Sequence, residues 1–484
     1  MRNVPGLMIL MSALALAASG PAAAAGKQRV SKDPFTNPDS QHATQVEPDT
    51  FANGSTIVSA FQSGRFFDGG SSDIGWATSQ DGGKTWVHGF LPSTTVNSSP
   101  TGPYARISDP AVGYDAKHGV WMIASLGLTS QGTGAAVLVS RSTDGGLSWG
   151  APVAVSTTNG FYDKTWIACD NTPSSSHYGN CYETWDDANL GDLLLASTSS
   201  DGGLTWGPKR APQDNTAGLG GQPVVQPGGN VIVPLLSAFV DDILSYRSTD
   251  GGGSWSASTV ISSLSDHGIA GDLRSEPLPS AEIDAAGKVY VVWHDCRFRS
   301  GCSSNDIVMS TSTNGTSWTS PVRIPIDSTT SGVDHFIPGI AVDPTSSGNS
   351  ARLALTYYFY PNANCTQSTC QLSVGYVSSV DGGANWSAPK TLAGPMKLTD
   401  LANTSQGFMV GDYISTSFTG SKASPVYALA KPKNGSVFKE AMYSNRLGAT
   451  GAQAQDDYPL KVVDDPVLSL RGDRPRRAGP LVLP

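Results

Sequence analysis

Short apolar runs of strand length alternate along this chain with polar, glycine-rich turns, and the order in which they come repeats. Each repeat opens on an acidic or polar residue, often followed by Pro. It continues as an apolar strand, a turn, a second apolar strand, a loop, and a third strand that runs into Ser-x-Asp-Gly-Gly-x-Ser/Thr-Trp. This box stands at Ser79–Trp86, Ser142–Trp149, Ser199–Trp206 and Ser248–Trp255; a degenerate copy covers Ser312–Trp318, and Ser379–Trp386 carries Asn at the seventh place. Its residue types predict a tight hairpin turn: Asp accepts from turn amides, the glycines take positive φ at little steric cost, and Trp buries its ring beside the sheet. Such a turn joins the third and fourth strands of an antiparallel unit. A catalytic group is not needed six times, so the box aspartates read as structural.

Seven repeat openings can be counted, at Glu47-Pro48, Asp109-Pro110, Asp163-Lys164, Gln222-Pro223, Glu276-Pro277, Asp334-His335 and Asp412-Tyr413. Similar four-stranded sheets that bury their faces against one another, and leave no open edge, predict an all-β chain folded as a single β-propeller. The count favours seven blades over six. The seventh unit, roughly 410–445, has no box and three strands, so a strand from 26–46 is expected to complete it. Domain organisation follows: 1–25 a leader, 26–46 a closing segment, 47–445 the propeller, and 446–484 an extension, mostly disordered from 464.

Composition agrees with many short strands, since Gly numbers 54 and charged residues make up only 15% of the chain. No long amphipathic helical pattern interrupts them. The leader runs from Met1-Arg2 through apolar Val4–Ala18 to Ala22-Ala23-Ala24-Ala25, which is the form of a secretory signal peptide cut before Gly26. The mature protein is therefore expected to be secreted, extracellular or periplasmic, with no membrane span and as a monomer. A net charge of −9 argues against a nucleic-acid partner, which needs a basic face. In an exported chain the six cysteines read as local disulfides, Cys169 with Cys181, Cys296 with Cys302, and Cys365 with Cys370.

The face opposite the boxes is where chemistry is expected. Strand openings and second-to-third loops line it: Arg65 to Asp73, Trp185 to Asp187, His294 to Arg299, and Tyr360 to Cys370. Carboxylates meeting at the axis raise one another's proton affinity, so one can serve as a general acid beside an ionised partner. They could instead take up Ca²⁺, or cap backbone amides. Glu47, Arg65, Asp109, Asp163, His294, Asp295, Arg297, Asp334, His335 and Asp412 are the expected substrate contacts. His294 and His335 lie on different repeats, and no transition-metal site is expected.

The first repeat resembles a bacterial sialidase. Val46-Glu47-Pro48, Gly54-Ser55-Thr56-Ile57, Gly64-Arg65, Asp68, Asp73 and Asp81-Gly82-Gly83-Lys84-Thr85-Trp86 follow the order of that family's opening segment, and the boxes are its Asp-box repeats. Glu276-Pro277 with Arg297, and Gly411-Asp412-Tyr413, resemble two later family segments. The resemblance implies Asp68 or Asp73 as acid, Tyr413 as nucleophile, Glu276 as its base, and Arg65 and Arg297 as substrate contacts. Glu47 stands where the family has its first arginine, so the pattern is kept in part. A carboxylate there would repel sialic acid by about 4 kcal/mol at about 4 Å and an effective dielectric of about 20. The implied function is an exo-acting glycoside hydrolase on a glycan that need not be sialylated, requiring no cofactor. The alternative is a non-catalytic propeller that binds glycan or a cell-surface polymer.

Overall fold

A computed structural model describes residues 26–157 and 160–450. The proposed leader, the extension beyond 450 and the tail expected to be disordered from 464 lie outside the described residues. The described chain is all-β, made of antiparallel sheets in a propeller-like arrangement. Among these residues, no helix is long and apolar enough to cross a membrane.

Module one comprises Gln45–Asn53, Thr56–Arg65, Ser71–Ser79 and Val87–Phe90. Module two is built from Arg106–Asp115, Val120–Leu128, Gly134–Ser142 and Val153–Ser156, and a single bridge from Ser71 to Ile107 joins the two sheets. In module three, Tyr162–Cys169, Cys181–Asp187 and Leu193–Ser199 form three strands, with single bridges at Arg210 and Ala217 along the open edge. Module four has Val224–Val225, Val231–Ser237, Asp242–Ser248 and Thr259–Ser263. Modules five and six begin at Ser280–Ile283 and Asp334–Val342 and each hold four strands. The last sheet pairs Ser415–Thr419, Lys422–Ala430 and Glu440–Ser444 with Gln28–Arg29 from the other end of the chain. Val30 N–H extends this seam to the Met442 carbonyl at 2.9 Å.

The first strands touch in sequence order around the molecule, and Ser415–Thr419 lies against Gln45–Asn53. The apolar core is divided between neighbouring sheets. Val58 and Trp76 of module one, for example, pack with Val112, Trp121 and Ile123 of module two.

Each box is a self-contained hydrogen-bond cage. Asp144 Oδ1 accepts from the amides of Leu147 and Ser148 at 3.0 Å, and its second oxygen takes the Ser148 hydroxyl at 2.5 Å. Asp81, Asp201 and Asp250 repeat this arrangement, whereas Asp381 takes Asn385 and the degenerate copy uses Asn314. Desolvation opposes ionisation of Asp144, yet these donors bring its carboxyl down to about 2. Glycine is required at Gly146, where φ is +80° and a Cβ would lie 2.6 Å from Val58 of the preceding module. Asp144→Ala is expected to cost about 1–2 kcal/mol in thermal or urea unfolding. Any glycan activity per folded molecule should be unchanged, because the box lies away from the loop face.

All three cysteine couples are disulfides. Cys296–Cys302 and Cys365–Cys370 staple second-to-third loops, and Cys169–Cys181 ties the first two strands of module three. Oxidised cysteines fit an extracellular compartment.

Candidate functional site

Register decides which residues reach the axis. A bulge shifts the pairing of the first strand between Val46 and Asp49, between Ser108 and Ala111, between Asp163 and Trp166, and between Phe336 and Gly339. Glu47, Asp109, Lys164 and Ile337 sit in these bulges with φ between +47° and +56°. The equivalent places are therefore held by Glu47, Asp109, Lys164 and Ile337, and Asp412 comes just before the first strand of the last sheet. In modules three and six, Asp163 and Asp334 fall one and three residues before the bulge position, earlier in the first strand.

The result is a buried ionic cluster across the axis. Asp412 receives the Lys164 ammonium and a bidentate pair from Arg274, with Nε to Oδ1 at 2.7 Å and Nη2 to Oδ2 at 2.5 Å. Lys164 Nζ also lies 3.9 Å from Asp109, whose Oδ2 accepts the Lys164 amide at 3.0 Å. Gln62 donates to Glu47 Oε2 and, at 3.1 Å, to Ser108 Oγ. The Arg65 guanidinium donates to Gln62 Oε1 at 3.2 Å and to the Gly70 carbonyl at 2.8 Å. Among the described residues, Glu47 Oε1 has no hydrogen-bond partner. Every charged side chain here is less than a tenth exposed.

Burial splits these groups. Desolvation, then the Asp109 and Asp412 carboxylates, pushes Glu47 up to about 7. Asp163 is raised well above the ordinary range by desolvation. Asp412 is desolvated too, but Arg274 and Lys164 hold it strongly ionised, and its presence in turn raises Lys164. Desolvation and the Arg274 charge lower Arg65 to about 10. Lys164 and Arg274 supply at the axis the positive charge that a divalent cation would otherwise bring.

Tyr413 lies beside the cluster. Its hydroxyl donates to the Pro110 carbonyl at 3.1 Å and its ring packs edge-on against Trp166. It lines a cavity of about 510 Å³ that runs along the other half of the axis and is walled by first strands from module one through to the last sheet. Asp49 and Glu282 face this cavity, raised to about 7 and about 8 by desolvation.

The remaining expected residues lie elsewhere. Asp68 is on the surface, paired with Arg106 at 2.5 Å, and that partner lowers its proton affinity. Asp73 is enclosed in module one, accepting from Thr94 at 2.7 Å and from the Ile74 amide; desolvation raises it to about 8. Glu276 is half-buried in the segment after Arg274. Asp295 and Arg297 form a local bidentate pair at 2.9 and 2.8 Å. His294 is buried with Nε2 3.4 Å from Asp266. Desolvation raises its neighbour Asp334 to about 6, although Asp334 accepts the Asn305 amide at 2.7 Å. His335 packs against Tyr357 and points its Nδ1 at the Asn305 carbonyl.

Asp306, Asp327 and His335 bring ligand-type atoms within 4.8 Å of one another. Arg299 and Arg323 each bind both carboxylates, at 2.6–2.8 Å, so two guanidiniums take the place a cation would occupy. Sequence reasoning missed Lys164 and Arg274 as members of the central cluster. The signal available was a lysine between acidic openings and an arginine two residues before Glu276.

No family model and no curated protein sequence matches this chain. Among solved structures it is similar to a protein of unknown function from Dyadobacter fermentans DSM 18053, at 17% identity over 74% of this chain and 100% of that one, TM-score 0.46. It is similar to the Hadza microbial sialidase Hz136 at 14% identity over 84% and 67% of the two chains, TM-score 0.45. A PL25 ulvan lyase bound to -[GlcA(1-4)Rha3S]- is similar at 12% identity over 88% and 97%, TM-score 0.49. Nothing about chemistry follows from likenesses this distant; the residues above carry what comes next.

Proposed function

We propose that this chain is an exported seven-bladed β-propeller that acts on a glycan as an exo-acting glycoside hydrolase, with its reacting groups at the axial cluster. Seven blades are supported by the cyclic contacts of the first strands. One observation carries the activity: Glu47, held near pH 7 with its proton, shares a desolvated site with Asp412, held ionised. Glycosidic cleavage needs this division, a proton donor for the leaving oxygen and a negative charge beside the developing oxocarbenium ion. Glu47 takes the acid role in this reading, because Asp68 is ionised by Arg106 and Asp73 is engaged inside module one. Tyr413 is the nucleophile and Glu276 its base, which requires the phenol to exchange the Pro110 carbonyl for Glu276 when substrate binds.

A second reading, glycan binding without catalysis, is favoured by the closure of the cluster: Glu47 and Asp412 are 0% and 2% exposed, and Tyr413 is already hydrogen-bonded. The two separate on a broad panel of aryl glycosides and polysaccharides. Hydrolysis predicts monosaccharide release that falls about 100-fold or more in folded Glu47→Gln and Tyr413→Phe variants. Release should also decline as pH rises through about 7, where Glu47 loses its proton. A silent panel alongside a positive glycan array removes the hydrolase reading and leaves the binder.

A further inference from the structure

We infer that the groove between modules three and four, on the box side, is a binding subsite for anionic sugar residues, carboxylated or sulfated. The inference rests on the glycan-acting reading above and assigns a charge class to the polymer. The groove encloses about 680 Å³ and is lined by Lys209, Arg210 and Arg247 together with Gln213, Ser254 and Ser256; no lining residue is acidic. In a chain of net charge −9 with 31 cationic residues, three in one acid-free groove is a local reversal of sign.

Among the described residues, the flanking carboxylates of Asp214 and Asp250 form no ion pair with Arg210 or Arg247, and their oxygens are turned to other donors. Asp214 is occupied by the Thr216 hydroxyl and by the amide and hydroxyl of Ser258, at 2.6–2.9 Å. Asp250 is occupied by Ser248 and by the amide and hydroxyl of Ser254, at 2.6–2.9 Å. Among the described residues, Arg210 and Arg247 take part in no salt bridge.

The cations stand on a fixed frame. Arg247 is in a strand, its backbone carbonyl accepts from Ser256 at 2.8 Å, and its guanidinium is braced by the Asn314 carbonyl at 2.7 Å. Arg210 exchanges two backbone hydrogen bonds with Ala196, both 2.8 Å. The opposite wall is tied in by Gln213 N–H donating to the Trp255 carbonyl at 3.2 Å. Lys209 lies with its ammonium 5.8 Å from the Tyr162 ring centre.

The repeat supplies its own control. The third and fourth residues after the box tryptophan are Gly89-Phe90, Pro152-Val153, Ser258-Thr259, Pro321-Val322 and Pro389-Lys390 in the other copies, but Lys209-Arg210 here. The hairpin therefore folds without this pair of charges. Guanidiniums match carboxylate and sulfate oxygens in bidentate geometry, and the surrounding amide and hydroxyls match sugar hydroxyls.

Equilibrium binding of the mature chain to polygalacturonate, dextran sulfate and neutral dextran tests this, and the first two separate carboxylate from sulfate recognition. Binding to at least one polyanion is expected, with none to dextran. Arg210→Ala/Arg247→Ala should weaken it about tenfold or more while circular dichroism is unchanged. The corresponding double lysine variant should recover only part, because charge remains and the fork is lost. Absence of polyanion binding, equal binding of dextran, or an unaffected alanine variant overturns the subsite. Glu47-dependent release from small aryl glycosides is independent of the groove, so failure of the subsite and failure of the hydrolase reading are seen separately.

Discussion

Asp412→Ala is expected to destabilise the protein by about 3–5 kcal/mol, the largest effect of any single substitution at the axis. The carboxylate serves the Lys164 ammonium and the Arg274 guanidinium at once, and these come from module three and from the segment that precedes module five. Removing it leaves two cations out of contact with water and facing each other. Against a total stability of roughly 5–15 kcal/mol, such a loss brings the chain close to unfolding at ordinary temperature. Urea denaturation measures it. Asp68→Ala, which breaks an exposed pair with Arg106, is the control and should change stability by less than about 1 kcal/mol. Equal losses in the two variants would mean that the central cluster does not hold the ring. If Asp412→Ala proves too unstable to purify, an Asp412→Asn and Arg274→Gln double-mutant cycle reads the same coupling with smaller perturbations.

The second large effect is an acid-shifted stability profile. Asp73 and Glu282 are raised to about 8, and Glu47 and Asp49 to about 7, in each case first by desolvation. A carboxyl that holds its proton more tightly folded than unfolded adds stability below its unfolded value, near 4. That contribution fades as pH rises through the folded value. The box aspartates act in the opposite sense: Asp144 and Asp201 are lowered to about 2, so their contribution is present above about pH 4 and is lost on strong acidification. The melting temperature should therefore peak on the acid side of neutrality and fall by roughly 5 °C or more between pH 5 and pH 8. Asp73→Asn, which keeps the shape and removes the proton equilibrium, should flatten part of that slope. A melting temperature that holds steady or climbs over this interval would contradict the buried-carboxyl account.

The fold was legible because its signal is local. Ser-x-Asp-Gly-Gly closes its hydrogen bonds within a few residues, so the turn can be read from composition at each copy, and strand order follows from the spacing of copies. The axis was less legible because it depends on cross-strand pairing. The shared bulge falls on Lys164 and Ile337, one and three residues after the openings Asp163 and Asp334 that alignment of the repeats placed there. Partners in the central cluster are far apart in the chain: Asp412 meets Lys164 248 positions away and Arg274 138 positions away. No spacing rule reports such a pair. Asp295 and Arg297, two residues apart and next to a cysteine, were readable as a polar pair for the opposite reason.

The seam between Gln28–Arg29 and the strand Glu440–Ser444 has a consequence for how the molecule is made and lost. Its hydrogen bonds join residues more than 400 positions apart, as Gln28 pairs with Ser444. They can form only after nearly the whole polypeptide has been made, so earlier species carry an unsatisfied sheet edge to which a chaperone, or a second nascent chain, could add a strand. Once the seam has formed, Gln28–Arg29 and Glu440–Ser444 hold each other in the sheet. A protease that trims the first few residues would be expected to convert a resistant particle into one that opens from both sides.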